Sequence, residues 1–96
     1  MQYMVLTRRT DGFSDGDYTP ERLEGEAEAV RRLYSEGIVR QIWHRGDIGG
    51  ACMLMEGTSD AEIRASLQTL PLFAAGVQEA VWIVPLRPYR GFGPRQ

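Results

Sequence analysis

The stretch from Ile38 to Glu56 constrains the fold most, because it reads as two strands turned back on each other. Ile38-Val39-Arg40-Gln41-Ile42-Trp43 is rich in β-branched and aromatic side chains, and Ala51-Cys52-Met53-Leu54-Met55 is nearly all apolar. Between them, Gly46-Asp47-Ile48-Gly49-Gly50 has glycine at three of five positions, which permits the positive φ angles of a hairpin loop. Both runs read as buried, so the pair is expected at the centre of a sheet.

A helix is expected on each side of this hairpin and a further strand towards each end of the chain. Tyr3 to Arg8 reads as an edge or near-edge strand. Arg9 to Tyr18 is dense in loop formers, with Phe13 as either a plug for a pocket mouth or a local anchor. Thr19-Pro20 starts a helix by capping and by a fixed φ, and Gly37 stops it after Glu36. At helical spacing Leu23, Ala27, Val30, Leu33 and Tyr34 form one apolar stripe, and Glu26 points from within it, between Val30 and Leu33. Ser59-Asp60-Ala61-Glu62 has capping-box spacing, opening a second helix that runs to about Leu70 and ends at Pro71. Leu72 and Phe73 then pack back onto the core. Val77 to Leu86 is the last strand, with Pro85 marking an unpaired or edge end.

Strand, helix, strand, strand, helix, strand is the ferredoxin-like βαββαβ order, an α+β fold with both helices on one face of an antiparallel sheet. The other face carries large apolar residues and is best covered by a second sheet, so a homodimer or higher homo-oligomer is expected. Ninety-six residues make one domain, taken as residues 1–87, followed by an arginine- and aromatic-rich tail, 88–96, that is either disordered or crosses onto a neighbouring subunit. The net charge of −2 argues against general nucleic-acid binding. No apolar run approaches the roughly 20 residues of a membrane span. The N-terminus lacks the pattern of a secretory signal and the lone Cys52 fits a reducing compartment, so a cytoplasmic protein is expected. One histidine and one cysteine make no convincing metal site, and the glycines of the turn precede a strand and so form no phosphate loop.

From Tyr34 to Leu86 the chain resembles muconolactone isomerase and its relatives in the dimeric α+β barrel superfamily. The resemblance is carried by Glu36-Gly37, by Arg40 and Trp43, and above all by Leu70-Pro71-Leu72-Phe73 after the second helix; Glu26 and Glu28 fall at acidic positions of the family pattern. The strand departs from the family at Gln41, where the family has a histidine, and at His44, where it has another basic residue. The resemblance implies a small enzyme, free of metal and organic cofactor, that moves a proton within an unsaturated lactone, in the context of aromatic compound catabolism.

On this reading Glu26 is the general base, since burial brings a carboxyl towards neutrality where it can take and return a proton. Its rival role is a buried ion pair with Arg40 or a partner's arginine. Arg40 either holds a substrate carboxylate by a bidentate contact or is solvated. Trp43 is either core or an aromatic wall for a flat substrate, Gln41 shares its side of the strand, and Phe73 shapes the pocket. His44 reads as a solvated hairpin residue and Cys52 as a small core residue. Two other readings are a cofactor-free monooxygenase or cyclase acting on aromatic polyketide-like substrates, and a non-catalytic small-molecule-binding dimer.

Overall fold

Tyr3, Val5 and Thr7 alternate inward along the first strand, β1 (Gln2–Arg9), and this strand organises the sheet. In the computed structural model, whose described residues are 1–92, β1 is followed by a 3-10 turn (Asp15–Asp17), α1 (Pro20–Ser35), β2 (Val39–His44), β3 (Ala51–Glu56), α2 (Asp60–Leu67), α3 (Pro71–Ala74) and β4 (Gln78–Pro85). The four strands form one antiparallel sheet in the order β2-β3-β1-β4. This is the ferredoxin-like α+β arrangement. β1 is paired on both sides, one strand in from the edge strand β4 and so near-edge as expected, whereas β2, expected at the centre of the sheet, lies at an edge. The crossovers explain this, because β3 and β4 each return beside β1. Residues 93–96 of the tail lie outside the described residues.

The helix-side face of the sheet carries the core. Val5, Val39, Met53 and Met55 pack under Ala29 and Leu33 of α1, Ile63 and Leu67 of α2, and Leu70 and Phe73 around α3. Within α1 the buried positions are Ala29 and Leu33, so Leu23 and Tyr34, expected in the stripe, are exposed. The helix ends as its sequence requires. Thr19 Oγ1 accepts from Arg22 N–H at 3.2 Å, and Gly37, at φ 78°, lets Ile38 N–H reach Leu33 O at 2.8 Å. At α2, Ser59 Oγ accepts from Glu62 N–H at 3.1 Å, but the Glu62 carboxylate turns to the Thr58 hydroxyl at 2.6 Å and does not complete a reciprocal box.

Leu70-Pro71-Leu72-Phe73 does more than end a helix. Pro71 begins α3, and a Cβ on Gly25 of α1 would lie 3.3 Å from Pro71 Cγ. Gly25 therefore lets α1 approach α3 closely, and that approach places Glu26.

The sheet has a bulge at Arg40, between Val39 and Gln41. Val39 faces the helices, but after the bulge Ile42 and His44 face them, opposite Met53 and Ala51, and Gln41 and Trp43 turn to the outer face. Along that outer face Trp43, Cys52, Leu6 and Trp82 stand in register across all four strands, beside Leu54, Met4 and Val84. Trp43 and Trp82 are 49% and 63% exposed in the single chain. No helix among the described residues is long and apolar enough to cross a membrane.

Candidate active site

The N-terminal half of α1 stands away from the sheet. Leu23, Ala27 and Val30 border a gap that Ile42 and Ile48 also line, and the gap is a cavity of about 1010 Å³ bordered as well by Phe13 and the loop after β1. This volume lies at the upper end of small-molecule sites. Apolar side chains on its walls, with no described side chain between them, mark space left open where a well-packed core would have closed.

Glu26 is set into this cavity. Its direction matches that of Ala29 and Leu33, the buried positions of α1, and it is half-buried. Glu26 Oε1 accepts the N–H of Leu72 at 2.9 Å, near the start of α3, where a helix leaves backbone donors free. Its other oxygen has no protein partner among the described residues, and Glu26 forms no ion pair there. Burial pushes the Glu26 carboxyl above its ordinary value, and the Leu72 hydrogen bond opposes that rise. The rival pairing with Arg40 is absent among the described residues: Val39 is the buried position at the start of β2, and Arg40, next to it in the strand, is exposed.

A pH dependence of stability follows. The folded protein holds the Glu26 proton more tightly than the unfolded chain, so this group stabilises the fold fully below its unfolded pKa. That contribution is lost as pH rises through the folded value. Urea unfolding of wild type and Glu26→Gln should therefore show the variant gaining stability relative to wild type between about pH 4 and neutrality. A constant difference would remove the raised carboxyl.

The remaining sequence candidates fall elsewhere in a single chain. Arg40, Gln41 and Trp43 are exposed and do not line the cavity, and Phe73 is buried in the core beside a smaller groove of about 390 Å³. His44, read as a solvated hairpin residue, lines the cavity because the bulge reversed the strand's alternation. Sequence reasoning also passed over Arg8, Arg9, Arg31, Tyr18 and Gln78, all of which border it. Arg8 is tied to Glu79 at 2.6 Å and Arg9 to Asp15 at 2.7 Å, but Arg31 is only 3.9 Å from Glu24. In the hairpin loop Arg45 ties the turn to β1, donating to Thr7 O at 3.1 Å and to Asp47 at 2.9 and 2.7 Å. The Arg45 hydrogen bonds keep the Asp47 carboxyl well below the usual range. The described residues hold no group of three or more histidine, cysteine or acidic side chains placed to bind a metal ion.

No protein-family profile and no curated protein sequence matches the chain. Solved structures do. A crystal structure of muconolactone isomerase superposes with a TM-score of 0.74 at 18% identity, covering 100% of this chain and 98% of that one. The chain has the muconolactone isomerase fold. A second match is 5-chloro-2-hydroxyhydroquinone dehydrochlorinase from Burkholderia phenoliruptrix AC1100, solved in complex with 2,5-dihydroxybenzoquinone, with a TM-score of 0.58 and 16% identity over 95% of this chain and 96% of that one. In this version of the muconolactone isomerase fold, the cavity lies between α1 and the sheet, with Glu26 on the helix wall and His44 on the strand wall.

Proposed function

We propose that the chain is a small-molecule isomerase that shifts a proton within an unsaturated lactone or similar anionic substrate, with Glu26 as the base. The observation that carries this is a half-buried carboxyl of raised proton affinity, free of any counter-ion among the described residues, facing open space. Glu26 takes a proton from one carbon of the conjugated lactone and the electron pair spreads to the carbonyl oxygen as a dienolate. The same carboxyl then returns the proton to another carbon, and atoms and charge balance without a co-reactant. Arg31 and His44 are the cavity's least committed basic side chains and suit a substrate carboxylate.

The basic and acidic groups around the mouth favour a compact polar anion over a polycyclic aromatic, and a cavity that the described side chains leave open, beside a Glu26 with no ion-pair partner among them, disfavours a purely structural dimer. The test is muconolactone in heavy water: the protein is expected to accelerate deuterium incorporation, and no acceleration over buffer would remove the assignment.

Arg40, Gln41 and Trp43 enter this reading through a second copy. The row Trp43-Cys52-Leu6-Trp82 is an apolar sheet face that a homodimer would bury, and that contact would bring these residues into a covered interface. Sedimentation equilibrium is expected to give a dimer or larger assembly for wild type and a shift towards monomer for Trp82→Glu. A monomeric wild type at micromolar concentration would sink the proposal.

A further inference from the structure

We infer that Tyr18 is a hydrogen-bond donor to the substrate's carbonyl oxygen, aimed by a relay of fixed polarity that begins at the backbone of β3. The inference deepens the proton-transfer reading and rests on it for the identity of the reacting oxygen.

The relay starts from a group that can only donate. Ala51 N–H donates to Thr7 Oγ1 at 2.9 Å, and Thr7 has 0% exposure, so no water competes. The Thr7 hydroxyl donates in turn to Gln78 Oε1 at 3.4 Å. Gln78 then presents its amide nitrogen to Tyr18 Oη at 3.2 Å. An N–H cannot accept, so the Tyr18 oxygen accepts and its own hydrogen is left for another partner. The opposite polarity, with the Gln78 amide turned over, would leave the hydrogen of a fully buried hydroxyl without an acceptor, an arrangement that native structures avoid.

The free hydrogen has one useful place to go. Tyr18 lines the same cavity as Glu26, and no group among the described residues accepts from its hydroxyl. Its backbone is held on both sides: Tyr18 N–H donates to Asp15 O at 3.1 Å, the next residue caps α1, and Asp17 O accepts from Arg22 at 2.9 Å. When a base removes a proton conjugated to a carbonyl, negative charge grows on the carbonyl oxygen. A donor fixed in place before the reaction stabilises that charge without reorganising. Thr7 and Gln78 are positioning residues; Tyr18 is the group that touches substrate.

Two variants and two readouts test the donor. Tyr18→Phe removes the donor. Gln78→Glu keeps the shape but offers Tyr18 only acceptors, so the phenol hydrogen is drawn away from the cavity. Each variant is expected to slow deuterium incorporation into muconolactone by about 10²-fold, with little change in KM. Each is also expected to weaken binding of 4-nitrophenolate, an oxyanion resembling a dienolate, by roughly tenfold, while neutral phenol is unaffected. The double variant is expected to be little worse than either single one, whereas a charge at position 78 acting through space would add in full.

If Glu26→Gln stops exchange but Tyr18→Phe changes neither rate nor phenolate affinity, the relay is overturned and the base assignment stands. If wild type does not exchange but phenolate binding still depends on Tyr18, the proton-shift reading falls and the donor stands. A wild type that does not bind phenolate overturns the donor.

Discussion

Glu26→Gln is expected to lower the rate of deuterium incorporation into muconolactone by roughly 10²- to 10⁴-fold, the usual worth of a positioned general base, while leaving the fold intact. Glutamine is the informative replacement because Leu72 N–H needs an acceptor at 2.9 Å, and a glutamine oxygen can supply it. That bond also orients the new amide, leaving its NH2 where the free carboxylate oxygen stood. The variant thus removes proton affinity and little else. Unchanged exchange would show that another group removes the proton, and His44, on the facing wall, would be the next to test.

The second large effect is on stability. Gly50→Ala is expected to cost roughly 3 kcal/mol, the sum of a strained backbone and a steric overlap, read as a fall in the urea midpoint at constant slope. Gly50 has φ 147°, which L side chains rarely adopt, and an added Cβ would collide with the carbonyl oxygen of Thr7. Neither side can give way freely, since Thr7 O is held by Arg45 and Thr7 Oγ1 by Ala51 N–H. Gly46→Ala, in the same loop, meets nothing within 4 Å and is the control, expected to fall within about 0.5 kcal/mol of wild type. Equal losses at the two positions would refute the close approach of the hairpin loop to β1.

These residues show which parts of the molecule were legible in its sequence. The inward direction of Glu26 followed from helical spacing alone, because period 3.6 is rigid over two turns. Alternation along β2 failed as a guide because it assumes an unbroken pleat. One extra residue at Arg40 exchanges the two faces, which is why Trp43 and Gln41 left the cavity and His44 entered it. The Leu-Pro-Leu-Phe stretch was recognisable, but its partners Gly25 and Glu26 lie some 46 residues away. Tyr18 sits in a segment of loop formers, and its partner Gln78 is 60 positions distant, so nothing local marked it. The edge place of β2 was likewise a matter of which strands return beside β1.

Glu26 also ties α1 to α3, since the same carboxyl accepts the Leu72 amide while Leu72 forms part of the cavity wall. A carboxyl that has just captured a proton is a poorer acceptor than a carboxylate. Each turnover would therefore slacken the strut between two helices and tighten it again on release, so that chemistry and the mechanical firmness of the wall rise and fall together.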